Sequence, residues 1–395
     1  MKILVVLPRF PYPLEKGDKL RAYHQIRVLS ENNDIYLFAL SHENVSHSQI
    51  EKLKPYCRQI CVVRSPKLVN YKNIIRNFLY IKSLQIGFWD SRRARKKYRA
   101  FEQQVQPDVV YSQMVRTMTI VAHSTLPKVM DFQDALSMNT ERRMDRARNI
   151  WRHILHFEFK MLRSSEFNSF DIFDDLTIIS QTDSEAIPHY NNDKIHIIPN
   201  GVDFDFFVPR PDATVDYDVV YCGNMSYEPN VSAVTYLINN VMPIVWAVRP
   251  DTRVLIAGVN PSHAIQRFHS KQVTVTGWIA DIRDAYARAK MFVAPMQTGS
   301  GLQNKLLEAM AMERPCITSQ IANMALHATP DSQILIGESP QQYADHILRL
   351  LSDETFSRQL AKSGRTFVLE NYNWNRYGKK LEDVLRHAVE SHNRS

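Results

Sequence analysis

A chain of 395 residues, 44% hydrophobic and 23% charged, is long enough for two domains and too balanced in composition to be disordered or fibrous. Its net charge of +8 is uneven, because residues 1–180 hold 29 Lys and Arg against 18 Asp and Glu, and residues 181–395 hold 20 against 23. That asymmetry suggests an anionic partner for the first half, and nucleic acid, phosphorylated ligands and an acidic membrane surface all fit it.

The opening MKILVVLP has too short an apolar run for a secretory signal and predicts a first strand. A helix near Lys19 to Ser30 follows, then the strand DIYLFAL, a helix, the strand QICVV, further helices, and the strands DVVYS, KVMDF and LTIIS. Such alternation predicts a parallel sheet with helices on both faces. Within it, Arg92, Arg93, Arg95, Lys96, Lys97 and Arg99 form the densest basic run. It reads as a solvated helix face or, with Phe88 and Trp89 just before it, as a patch for anionic lipid.

Pro199, Asn200 and Gly201 in IIPNGVDFDFF signal a turn after the last strand of the first half, and the pattern then restarts. DVVYCG, RVLIAG, VTVTG, MFVAP, CITS and ILIG are the predicted strands of a second, similar α/β half. The uncharged stretch from Pro229 to Val248 has the length of a membrane span, but Asn230, Asn239, Asn240 and Pro243 favour a buried helix. Tyr377, Leu381, Leu385 and Ala388 give the final stretch, Asn375 to Ser391, helical spacing. Cys57, Cys61, Cys222 and Cys316 form no CxxC pair and no metal-ligand spacing, which suits a reduced, cytoplasmic chain. The expected divisions are 1–198, 199–374 and a helix in 375–395.

Glycine is scarce, 11 in the whole chain, so its placement is informative. Gly223, Gly258 and Gly277 each follow a predicted strand of the second half, and Gly299 and Gly301 follow MFVAPMQT. In a parallel sheet these strand ends share one edge, where backbone can approach a ligand and helix N-termini point outward. APMQTGSGLQNKLLEAMAMERPCITS is the most informative segment. It predicts a helix over Leu302–Met312 with Lys305 in its first turn and Glu308 three residues on, offering a cation for phosphate and a carboxylate for sugar hydroxyls. The competing reading is an exposed Lys and Glu pair on an amphipathic helix; the preceding glycines and the strand-helix-strand setting favour the site. DxD pairs occur at Asp203 and Asp205 and at Asp216 and Asp218, but both lie in or beside the interdomain linker, so no metal is expected.

Together with HIIPNGVDFDFF, VVYCGNMSYEPN, VTVTGWIADIRDAYARAKMFVAP and the late NYNW, the segment from Gly299 to Pro315 resembles the family 4 retaining glycosyltransferases of GT-B fold. PYPLEKGDKLRAYHQIRVLS and MDFQDA further resemble a branch found with exopolysaccharide systems. The resemblance implies two facing Rossmann-like domains, with a nucleotide-sugar held mainly by the second, a glycan or lipid-linked acceptor held mainly by the first, and a C-terminal helix packing back across the junction.

Carried over by position, Glu308 would hold the ribose, Gly299 to Leu302 with Lys305 the diphosphate, and Gly277 and Trp278 the base. Gly223 and Asn224 would border the donor, and Gly17, in the first loop, would let backbone approach its phosphate. The chain departs from the pattern at Ser300, where a glutamate is common, and at Asn224 and Asn230, near an expected arginine and lysine. Lys16, Lys19 or Arg21 would then supplement Lys305. Gln133 replaces a common histidine, leaving Asp131 or Asp134 to act nearby, so that Lys305, Asp131 and Asp134 are the candidate catalytic residues.

The resulting expectation is a retaining, hexosyltransferase-type enzyme of polysaccharide or glycoconjugate biosynthesis, cytoplasmic or peripheral on the inner face of the membrane. An epimerase of related fold and a non-catalytic nucleotide-sugar binder remain alternatives. Nucleic acid is not an expected partner, since the basic residues are dispersed and no aromatic-basic recognition motif is apparent. A dinucleotide oxidoreductase is disfavoured because the first strand leads into PRFPYPLEKGD with no GxGxxG turn.

Overall fold

Every second residue of the opening strand faces the same way. Leu4 and Val6 enter one buried apolar cluster, and Ile3, Val5 and Leu7 enter another. A strand with two buried faces belongs inside a parallel sheet covered by helices on both sides. The computed structural model, which describes residues 1–66, 68, 70, 71, 73, 74, 83–187, 189–298 and 301–394, contains two such sheets.

The chain divides into two compact units, one comprising Met1–Pro199 with Trp374–Ser395 and the other Asn200–Asn373. The first sheet contains β1 (Lys2–Leu7), β2 (Asp34–Ser41), β3 (Gln59–Arg64), β4 (Val109–Gln113), β5 (Lys128–Asp131), β6 (Asp175–Ile178) and β7 (Ile195–Ile197), in the order β3-β2-β1-β4-β5-β6-β7. The second contains β8 (Tyr217–Cys222), β9 (Val254–Ala257), β10 (Val273–Val275), β11 (Ala289–Ala294), β12 (Cys316–Thr318) and β13 (Leu335–Ile336), in the order β10-β9-β8-β11-β12-β13. All the strand pairings are parallel. The order reverses between β1 and β4 in the first sheet and between β8 and β11 in the second, and doubly wound sheets bind ligands outside the carboxyl ends of the strands at such a reversal.

The final helix, Trp374–His392, belongs to the first unit. Gly378 lets it approach the Gly17–Leu29 helix so closely that a Cβ there would stand 2.2 Å from Val28 Cγ1. Trp374 stacks on His24 with ring centroids 5.0 Å apart. At the other end of the helix His387 bonds the Asp175 carboxylate at 2.8 Å and His392 bonds Asp174 at 3.1 Å. Burial raises the Asp175 carboxyl, but bonds from His196 and His387 outweigh it and hold the group below the usual carboxylate range.

In the second unit the uncharged stretch forms the Glu228–Tyr236 helix, a π-helical turn over Leu237–Val241 and the Met242–Val248 helix. Ala233, Val234, Leu237, Ile238, Val241, Met242 and Val245 make one buried face at helical spacing, while Asn239 and Asn240 are exposed. The stretch is long and apolar enough to cross a membrane, and in the fold it packs one face against the core of the second unit.

Candidate active site

Strand β8 ends at Cys222 and runs into Gly223 and Asn224. After β9, Gly258 has φ of +143°, and a Cβ there would lie 1.8 Å from the Gly223 carbonyl oxygen, so these strand ends approach at a separation that only glycine permits. A Cβ on Gly223 would stand 2.8 Å from Asn230 Nδ2. The glycine thus leaves room for Asn230, which is buried at the start of its helix. Asn230 Nδ2 donates to the Asn224 carbonyl at 2.9 Å, and its Oδ1 accepts from the Tyr221 hydroxyl at 2.9 Å.

That same oxygen accepts from the ammonium of Lys305. Lys305 lies in the first turn of the Asn304–Ala311 helix, which follows β11 across the strand-order reversal. Its Nζ also donates to the Tyr221 hydroxyl at 3.0 Å and lies 3.9 Å from Met296 Sδ. These partners are all uncharged. Burial brings the amine down to about 7, against the upward pull of Glu308 and Cys222. One turn on, Glu308 Oε2 accepts from the Tyr286 hydroxyl at 2.8 Å. Burial raises the Glu308 carboxyl, and Tyr286 and Lys305 oppose the rise.

A lysine with neutral partners at a helix N-terminus suits an anionic ligand, whose charge compensates both the ammonium and the helix dipole. The carboxylate beside it accepts hydrogen bonds and suits hydroxyl groups.

The helix begins at Asn304, two residues later than expected, with Gln303 as its N-cap. Gln303 Nε2 donates to the Gly301 carbonyl at 2.8 Å, holding Gly301 and Leu302 in the preceding loop instead of the helix. Gly299 and Ser300 lie outside the described residues. Gly277 and Trp278 follow β10, two strands from β8; a Cβ on Gly277 would meet nothing within 4 Å, and Trp278 is 73% exposed. Sequence reasoning placed Lys305 and Glu308 together but missed Tyr221, Tyr286 and Met296, and it treated Asn230 only as a missing cation. The available signal was a tyrosine hydroxyl inside the apolar run VVYC.

In the first unit, Asp131 ends β5 and is fully buried. Arg21 Nε donates to its Oδ2 at 2.6 Å and Arg21 Nη2 to its Oδ1 at 3.1 Å. Tyr111, Thr177 and the Gln133 amide supply three further donors, at 3.1, 3.1 and 3.2 Å. Arg21 Nη1 donates to the Ile198 carbonyl at 2.8 Å. Arg21 was expected among the cations for a diphosphate; fully buried, it instead pairs with Asp131.

Asp134, three residues past Asp131, is half-buried, and among the described residues none donates to its carboxyl. Burial, then the charge of Asp183, raises that carboxyl to about 7 against Arg21. Gln133, between them, has φ of +64°, and its Nε2 donates to Gln113 Oε1 at 3.2 Å. Gly17 is the first residue of its helix and not part of the loop, and a Cβ there would meet nothing within 4 Å. Lys16 and Lys19 line a surface pocket with Arg9, Phe10, Ser41 and His42. Lys19 is paired there with Glu15 at 3.1 Å.

Residues 216–353, most of the second unit, match the family model described as Glycosyl transferases group 1. An uncharacterised 44.6 kDa protein in the cps region of Klebsiella pneumoniae is 22% identical over 390 residues, covering 94% of this chain and 96% of that protein. Sucrose-phosphate synthase from Thermosynechococcus elongatus superposes with a TM-score of 0.71 at 15% identity, over 99% of this chain and 100% of that one. Anabaena Alr3699/HepE, solved with UDP and glucose, superposes with a TM-score of 0.71 at 12% identity, over 97% of this chain and 99% of that one. The chain has the GT-B fold.

Three of the four DxD carboxylates have partners within the second unit. Asp216 pairs with Arg288 at 2.6 Å and Asp218 with Lys290 at 2.8 Å, while Asp203 accepts from the amides of Asp205 and Phe206. The expected lipid anchor before the basic run is not available as drawn. Trp89 is 5% exposed in the core, and Phe88 is half-buried against it.

Proposed function

We propose that this chain is a glycosyltransferase that moves a sugar from a nucleotide diphosphate donor held by the second unit to an acceptor hydroxyl held by the first. The observation that carries this reading is Lys305, an ammonium whose hydrogen-bond partners among the described residues are all uncharged, beside Glu308 at the strand-order reversal of the second sheet.

Lys305, with Gly301 and Leu302 before the helix start, holds the diphosphate and stabilises the negative charge that develops as the sugar departs, and Gly299 and Ser300 are assigned to the same group from the sequence alone. Glu308 accepts from the ribose hydroxyls, Gly277 and Trp278 border the base, and Gly223 and Asn224 border the donor. In the first unit Asp134 holds or releases the proton of the acceptor hydroxyl near neutral pH. Asp131 positions this edge through Arg21, and Gly17 leaves the helix start open to the donor. No metal is needed, since a lysine and a helix dipole provide the positive field. Retention at the anomeric carbon, a hexose donor, a glycan or lipid-linked acceptor and a role in surface polysaccharide assembly at the cytoplasmic face complete the proposal. The cps-region relative supports that setting.

Thermal shifts with uridine, guanosine and adenosine diphosphates and their sugars, with and without EDTA, test the donor site. One nucleotide family is expected to stabilise the chain without regard to EDTA, and Glu308→Ala to weaken that shift. Incubation with donor alone is expected to leave the sugar unchanged; an inverted sugar centre would identify an epimerase instead.

A further inference from the structure

The helix Ile150–Ile172 follows the helix Leu136–Arg146 after a short turn, and the turn contains Asn149 with φ of +56°. Along the second helix Ile154 and Leu155 are half-buried and Glu158, Leu162, Glu166 and Phe170 are buried, so one stripe, apolar at its start, faces the protein. Ile150 and Trp151 stand one turn earlier on the same stripe, yet they are 67% and 66% exposed. The stripe therefore runs one turn beyond what covers it.

Charge surrounds this tip. Between Glu141 and Arg152 the sequence carries five arginines against two carboxylates, Glu141 and Asp145. Arg143, Arg148, Arg152 and His153 are exposed. Adjacent exposed large apolar side chains, one of them tryptophan, flanked by arginines are the chemistry of an interfacial anchor: the ring suits the headgroup level and the guanidinium groups suit anionic headgroups. A second copy of this chain is a poor occupant, because a two-fold contact at this patch would set arginines against arginines.

We propose that the tip of this helical hairpin docks the protein on an anionic lipid surface, with Ile150 and Trp151 entering the headgroup region and Arg143, Arg148 and Arg152 contacting the headgroups. The inference does not depend on the glycosyltransferase reading. It moves the membrane contact away from the Arg92–Val105 helix, whose neighbouring Trp89 is in the core.

The test is co-sedimentation of the full chain with vesicles of phosphatidylcholine alone and of phosphatidylcholine with phosphatidylglycerol. Binding is expected to the anionic vesicles only and to fall with added salt. The doubles Ile150→Ser/Trp151→Ser and Arg148→Glu/Arg152→Glu are each expected to lower vesicle affinity at least about tenfold with an unchanged melting temperature. Lys96→Glu/Lys97→Glu, on the other basic helix, is expected to bind as the parent does. Hairpin variants that bind like the parent would overturn the proposal. So would a parent that ignores anionic vesicles, and in that case loss of self-association by Trp151→Ser in ultracentrifugation would assign the patch to a second copy instead.

Discussion

The ammonium of Lys305 donates to the hydroxyl of Tyr221 across 3.0 Å, and the two residues are 84 positions apart in the chain. Tyr221 and Asn230 hold the cation in place without neutralising it. The cost of that arrangement appears in the amine itself, which titrates at about 7 in the fold.

Lys305→Met should therefore separate stability from binding. An unfolded lysine titrates near ~10.4, so between about 7 and ~10.4 the unfolded chain binds more protons, and the Lys305 contribution makes the fold more stable as pH rises through that window. Below about 7 the burial penalty is complete. The variant is expected to keep or raise the melting temperature at neutral pH and to bind the nucleoside diphosphate at least about tenfold more weakly. A lowered melting temperature with unchanged affinity would make Lys305 a structural residue.

The same amine predicts a pH profile for binding. A diphosphate favours the protonated form, so above about 7 the site must take up a proton to bind, and Kd should rise by up to about tenfold per pH unit. Asn230→Asp supplies a carboxylate partner to Lys305. It should move this rise to higher pH and weaken binding throughout, because the new charge competes with the ligand. Calorimetry between about pH 7 and 9 reads both effects, and a flat profile in the parent would sink the assignment.

Arg21 and Asp131 make a fully buried pair at 2.6 Å. Removing one partner strands the other, so Arg21→Met or Asp131→Ala should each cost about 3 to 5 kcal/mol in urea denaturation. The double Arg21→Met/Asp131→Leu should recover most of that loss. If each single variant kept parental stability but lost activity, Asp131 would be acting on substrate.

Gly378→Ala should loosen the C-terminal helix, since the new Cβ would lie 2.2 Å from Val28 Cγ1. A cost of about 1 to 3 kcal/mol is expected, with partial recovery on adding Val28→Ala. Amide exchange across residues 374–392 should show whether the loss is local.

The sequence alone determined most of the strands, because a parallel strand buried on both faces carries a short continuous apolar run, as β1, β8 and β11 do in ILVVL, VVYC and MFVA, whereas the three-residue β7 was too short to stand out. It also determined that Gly223 and Gly258 directly follow strands and that Lys305 and Glu308 belong to the helix after β11, since chain order in an α/β fold brings strand ends and helix starts to one edge. Only the tertiary structure decided which charges are free to meet a ligand. Arg21 and Lys305 are both cations in the sequence, but Arg21 meets Asp131 across 110 positions while Lys305 meets the neutral Tyr221 and Asn230. Trp89 and Trp151 likewise differ in how far the folded chain covers them, for Trp89 is 5% exposed in the core and Trp151 is 66% exposed. Such pairings and coverings arise from contacts distant in sequence, and in a dry interior they determine whether a charge is compensated.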